Sequence, residues 1–205
     1  MSYVELVGTL LYLWSVWLIA QKHMLTWPVG IVSVLLYMLL FYQVRLYSDA
    51  LEQVYYLAAS VYGWWWWSQK GPEQDATSGF HYSRRRVWWL TLGITLGAGL
   101  ALGGVMSQVH LWLPRLFPAA AAFPLLDAVT TVMSFTAMVL MAQKRIESWL
   151  YWIVVDGVAI WLYFVKDIRF LSLLYVLLLA IALNGLRSWH QTYQATKHQT
   201  ARQNI

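Results

Sequence analysis

The chain has 205 residues, 60% of them apolar and 11% charged, with fourteen Trp; that balance belongs to a lipid bilayer and leaves no stretch for a soluble domain. Its formal charge of +5 comes from basic residues in short polar stretches between apolar runs, the arrangement that orients membrane proteins, so it does not indicate nucleic acid. There is no Cys, which excludes disulfides and thiolate metal sites.

Crossing a hydrocarbon layer about 30 Å thick takes roughly 17 to 25 helical residues. Seven apolar segments near that length follow in chain order: Val4 to Ala20, Trp27 to Tyr42, Leu51 to Trp67, Val87 to Val109, Pro124 to Met141, Trp149 to Phe164 and Phe170 to Leu186. The first has no Lys or Arg before it and no small-residue cleavage site after it, so it reads as a span rather than a signal peptide. Ser68 to Arg86 is polar, is broken by Gly71-Pro72, ends in an arginine run and reads as a solvated loop. His110 to Pro124, with Pro114 and Pro118, reads as a surface loop holding a short helix, and Ser188 to Ile205 as a frayed polar tail. Trp64 to Trp67, Trp88 and Trp89 are placed for an interfacial aromatic belt. Gly93, Gly97, Gly99, Gly103 and Gly104 in the fourth span are small packing positions, and the five His show no metal-binding spacing.

With the N-terminus outside, the inner stretches hold ten Lys and Arg: Lys22, Lys70, Arg84, Arg85, Arg86, Lys144, Arg145, Arg187, Lys197 and Arg202. The outer ones hold four, Arg45, Arg115, Lys166 and Arg169. This asymmetry predicts an outer N-terminus and a cytoplasmic C-terminus. A shift of 122 residues superposes the sequence on itself without a gap: Ala20-Gln21-Lys22 recurs as Ala142-Gln143-Lys144, Trp27 as Trp149, Gly63 as Gly185 and Trp67 as Trp189. The expected fold is therefore an all-α integral membrane protein in a parallel 3+1+3 repeat. Residues 1–68 form the first three-helix unit, 69–123 the linker with the fourth helix, 124–189 the second unit and 190–205 the tail. Two like halves that rock about a site between them are a common transporter plan.

Ionisable groups in hydrocarbon cost several kcal/mol when bare, about 3 on insertion scales, and Asp156 sits near the midplane of the sixth span. A carboxyl there is either a neutral acid hydrogen-bonded to another helix or part of a solute-lining surface. Its helical neighbours suit the second role: Trp149, Trp152, Asp156 and Tyr163 follow at spacings of three, four and seven on one stripe. Indole faces with a carboxylate are suited to a flat cationic ring. Gln53 and Tyr56, with Ser60, form a hydrogen-bonding stripe on the third span; Tyr37 and Asn184 complete the candidate binding set. The halves differ at the candidate positions: Val34 stands opposite Asp156, Gly30 opposite Trp152 and Tyr175 opposite Gln53.

The runs Trp27-Pro28-Val29-Gly30-Ile31, Leu46-Tyr47-Ser48-Asp49, Gln53 to Tyr56, Tyr62-Gly63-Trp64 and Glu147-Ser148-Trp149-Leu150-Tyr151-Trp152 resemble the PnuC family of bacterial vitamin transporters, from about Val4 to Trp189. The resemblance implies a fold similar to full-length SWEET sugar transporters, a bacterial inner membrane and often a homotrimer. It also implies uptake of nicotinamide riboside by facilitated diffusion, feeding NAD synthesis, with a cytoplasmic riboside kinase trapping the vitamin; no cofactor is implied. Carried across, the family's binding region falls on Trp152, Asp156 and Gln53. Thiamine, another cationic aromatic vitamin, is the alternative, and Trp149-x-x-Trp152 resembles the nicotinamide riboside form. A SWEET-type sugar transporter is a more distant alternative. A retinal protein would need a Lys in the last span, and Phe170 to Leu186 has none. There is no His-Glu-x-x-His or nucleophile elbow, so no enzyme is expected.

Overall fold

The computed structural model describes residues 3–43, 47–69, 79–115, 120 and 122–203; Arg45, Lys70, the Gly71-Pro72 break and Pro118 lie outside the described residues. It is all-helical: α1 (Tyr3–Ala20), α2 (Thr26–Gln43), α3 (Tyr47–Ser68), α4 (Arg85–Trp112), α5 (Pro124–Ala142), α6 (Ser148–Val165) and α7 (Arg169–Gln203). Six of these are long and apolar enough to cross a bilayer. The exception, α3, has 22 residues and thus spans about 33 Å, but Asp49, Glu52 and Gln53 in its first turns lower its apolarity. The chain is a multi-pass membrane protein.

Helix boundaries follow local chemistry. Pro124 opens α5, where a missing N–H costs nothing. α1 and α5 end alike: Lys22 and Lys144 take left-handed φ values of 63° and 59°. His23 N–H then donates to the Leu18 carbonyl, and Arg145 N–H to that of Leu140. These paired bonds satisfy the last carbonyls of each helix and turn the chain sharply into α2 and α6.

The packed helices close a ring: α1 on α2, α2 on α3, α3 on α5, α5 on α6, α6 on α7 and α7 back on α1. Hydroxyls tie neighbours together, Ser33 Oγ donating to the Gly8 carbonyl at 2.9 Å and the Tyr55 hydroxyl to that of Phe135 at 2.7 Å. α4 packs against α5. There Gly99 and Gly103 bring the backbones so close that a Cβ would stand 2.8 Å from the Cα of Val129 and of Leu125. At Gly93, Gly97 and Gly104, expected to pack likewise, an added Cβ would meet nothing within 4 Å among the described residues of other helices.

Three polar or interfacial assignments are corrected. The tail is not frayed, since α7 runs on to Gln203; no Gly or Pro interrupts it after Gly185, and Trp189 is fully buried with Tyr193 packed against the same cluster. At the described end of the loop before α4, residues 79–84, the chain does not simply lie in solvent. Phe80 is buried between Trp67 and Trp189, with ring centroids at 5.9 and 4.4 Å. His81 holds it there by backbone bonds to both sides of Arg145: its N–H donates to the Lys144 carbonyl, and its carbonyl accepts from Ile146 N–H. Finally, Trp67 leaves the expected belt for the core, while Trp64, Trp65 and Trp66 stay exposed.

Candidate functional site

Inside the ring lies a cavity of about 400 Å³, lined by all six ring helices. Seven of the eight residues singled out in the sequence line it: Tyr37, Gln53, Tyr56, Trp149, Trp152, Asp156 and Tyr163. The eighth, Asn184, does not. The α7 wall is Leu171, Leu174, Tyr175, Leu178 and Ala182, one stripe at helical spacing, and Asn184 lies two residues past it, about 200° around the helix, on an exposed face. The expectation that Asn184 faces a solute is corrected on that ground.

The two ends of the cavity differ. At one, the first turns of α2 and α6 present Trp27 and Trp149, each almost fully buried. Their benzo rings fill the space a side chain would take at Gly63 and Gly185, where a Cβ would come within 2.2 and 2.5 Å of the indoles. Trp67 and Trp189 meet them edge-on, with centroids at 5.5 and 5.4 Å. Each of these outer indoles crosses to the other half: Trp67 Nε1 donates to the Ala142 carbonyl and Trp189 Nε1 to that of Ile19, both at 3.0 Å. Phe80 completes this cluster, and the Lys144 ammonium lies 4.9 Å from the Trp67 ring and 5.4 Å from the Phe80 ring.

The other end gathers phenols: Tyr37, Tyr56, Tyr163 and Tyr175, with Tyr12 on α1. Tyr163 and Tyr175 stack at 5.4 Å, and the Tyr37 hydroxyl lies 2.6 Å from Thr9 Oγ1. Asp156, buried at 4% exposure, and Glu52 both face the cavity. Tyr175 is an electrostatic neighbour of both carboxylates. Among the described lining residues there is no Lys, Arg or His. Three indole nitrogens on the wall, those of Trp27, Trp149 and Trp152, are buried without a hydrogen-bond partner.

Glu52 does not stand out in the sequence, because a carboxylate near the start of a span lies within reach of water or headgroups and needs no further explanation. The signal was present in the spacing, since Glu52 precedes Tyr56 by one helical turn. Ser134 and Tyr12, also on the wall, carried no polar stripe that would single them out. The mismatched pairs were more telling: Val34 and Asp156, Gly30 and Trp152, Gln53 and Tyr175 all line the cavity.

A solved structure described as the crystal structure of the vitamin B3 transporter PnuC has the same fold, with a TM-score of 0.69, 24% identity, and coverage of 95% of this chain and 83% of that one. The nicotinamide riboside transporter PnuC of Escherichia coli (strain K12) is 29% identical over 92% of this chain and 85% of its own length. The riboflavin/roseoflavin transporter RibM of Streptomyces davaonensis is 30% identical over 90% of this chain and 83% of its own length. The sequence model described as nicotinamide mononucleotide transporter matches residues 2–191. By that match across nearly its whole length, and by its similarity to PnuC in sequence and fold, the chain belongs to the nicotinamide mononucleotide transporter family, the family of PnuC.

Proposed function

We propose that the chain takes up nicotinamide riboside by uniport across a bacterial inner membrane, with its N-terminus outside and C-terminus in the cytoplasm. The observation that carries this reading is the chemistry of the cavity wall: indoles of Trp149 and Trp152, two carboxylates and no basic side chain among the described lining residues. Such a wall suits a flat cation. An aromatic face attracts a desolvated cation by about 2 kcal/mol, and Asp156 adds a negative charge beside the ring site. Gln53 and Tyr56 supply an amide and a phenol for the ribose or the carboxamide.

Mechanistically, α1–α3 and α5–α7 act as like units joined by α4, a 3+1+3 plan of the SWEET type, and alternate access by rocking about the cavity. The Trp27, Trp149, Trp67 and Trp189 cluster is the closed gate of the state described, because it fills the cavity end where both units meet. A cytoplasmic riboside kinase then adds a phosphate, and the anionic product meets the carboxylates of the wall, so net uptake needs no coupled ion. The native assembly is a homotrimer in the bilayer.

Thiamine is the second reading; it shares the cationic ring that the wall favours, whereas the flavin named for RibM is neutral and makes no use of the two carboxylates. Binding titrations on purified protein, read by tryptophan fluorescence, test the proposal. Nicotinamide riboside should bind, and Trp152→Ala and Asp156→Ala should each weaken it by tenfold or more, on the order of 1.4 kcal/mol. Unchanged affinity in both variants rules out this site, and tighter binding of thiamine than of the riboside reassigns the vitamin.

A further inference from the structure

The α3 and α7 walls occupy matching positions 122 residues apart, yet they are chemically opposite. Glu52, Gln53, Tyr56 and Ser60 of α3 line the cavity, and so do their counterparts Leu174, Tyr175, Leu178 and Ala182 of α7. Three of the four polar positions are aliphatic across the pseudo-symmetry, so the repeat itself does not require a carboxylate at position 52. Glu52 stands near the start of α3, at the cavity end formed by the last turns of α2 and α6 and the first turns of α7, with Phe41, Tyr163 and Leu171 as fellow lining residues.

We infer that Glu52 is a specificity-determining residue, whose carboxylate receives the sugar hydroxyls of the solute and turns away a phosphate ester in the same place. The inference rests on the reading of the cavity as a riboside site. A ring seated on Trp152 leaves its sugar two directions. One is filled by Trp27, Trp67, Trp149 and Trp189; the other leads to the tyrosines and Glu52. A carboxylate accepts from hydroxyl donors and repels a phosphate, and Glu52 places one on the cavity wall. A negative group at the end of a low-dielectric cavity also raises the local concentration of cations over anions. Asp156 of α6 serves the ring, whereas Glu52 of α3, which lines the same cavity, serves the far end of the ligand.

The test compares nicotinamide riboside with nicotinamide mononucleotide on the purified full chain, by tryptophan fluorescence, for the parent, Glu52→Gln, Glu52→Leu and Glu52→Asp. The parent should favour the riboside over the mononucleotide. Glu52→Gln should narrow that preference by about tenfold, chiefly through tighter mononucleotide binding, and Glu52→Asp should preserve it. Glu52→Leu, which places the α7 side chain on α3, should narrow the preference too, and it carries the test if Glu52→Gln fails to fold by size-exclusion chromatography. An unchanged preference in the neutral variants, with the parent still binding the riboside, overturns the role of Glu52 alone. A parent that does not bind the riboside overturns the functional reading beneath it, and this inference with it.

Discussion

The indole end and the tyrosine end of the cavity are made from the same six helices and the same repeated register, and they have been put to different uses. At the indole end the repeat is kept: Trp27 and Trp149, Gly63 and Gly185, Trp67 and Trp189 all match, down to the edge-on rings and the cross-over hydrogen bonds. At the tyrosine end and along the middle it is broken, with Glu52 against Leu174 and Asp156 against Val34. Matching residues make a seal that both halves share, because a joint between like units needs like surfaces. Differing residues make a wall with direction, which the proposed recognition of an asymmetric solute would use.

If the indole end is structural, substitutions there should lower stability more than anything done at the other end. Trp149→Ala removes a side chain that is almost fully buried and should cost about 3 to 5 kcal/mol, seen as a large drop in thermal unfolding temperature in detergent. An unaltered melting temperature would break the comparison, since it would mean that the indole is held only loosely.

Glycines sharpen the contrast at single-atom scale. A methyl at Gly63 would stand 2.2 Å from the Trp27 ring, and one at Gly185 2.5 Å from that of Trp149. Gly63→Ala and Gly185→Ala should therefore each cost about 1 to 3 kcal/mol through overpacking. At Gly8, near the tyrosine end, the nearest atom is Tyr37 Cε2 at 3.5 Å, an ordinary contact. Gly8→Ala should be tolerated or slightly stabilising, because alanine favours the helix by about 0.5 to 1 kcal/mol. Equal losses at all three glycines, in the same unfolding assay, would erase the distinction between the ends.

This division explains what could be read from the chain. Seven helices were legible because their apolar runs are bounded by polar or Pro-containing stretches, and most ends fall within a few residues of expectation. α6 was the most legible part of the site, since Trp149, Trp152, Asp156 and Tyr163 keep one helical stripe. Asn184 misled because a polar residue in an apolar run was read without its phase; two residues separate it from Ala182, enough to put it on the opposite face. Phe80 was invisible for another reason. Its burial depends on His81 pairing with the turn between α5 and α6, a contact between segments far apart in sequence that no local period records. Lys22 was equally hidden: its ammonium donates to Ser188 Oγ and Thr192 Oγ1 at 3.0 and 2.8 Å, which ties the α1–α2 turn to the part of α7 that the sequence read as tail.

The smallest expected effect lies just beyond the indole end, where the segment after Phe80 meets α7. The Tyr82 hydroxyl and His190 Nδ1 are hydrogen-bonded at 2.9 Å, and the Tyr82 ring packs edge-on against Tyr193 at 5.4 Å. Burial, helped by the nearby Glu147 carboxylate, raises the Tyr82 phenol above its ordinary value of 10.0. The folded chain thus holds this proton after the unfolded chain has released it. Stability from Tyr82 is fully present below pH 10 and is lost as pH rises through the raised folded value. Lys22 runs the other way: partial burial lowers its ammonium from 10.5, so folding gains as pH rises towards 10.5. Tyr82→Phe should therefore leave the melting temperature at neutral pH nearly unchanged and flatten its decline above pH 10 relative to the parent. Parallel alkaline declines in parent and variant would show that the Phe80 segment is not anchored through Tyr82, and the seal would then rest on Phe80 and the His81 backbone bonds alone.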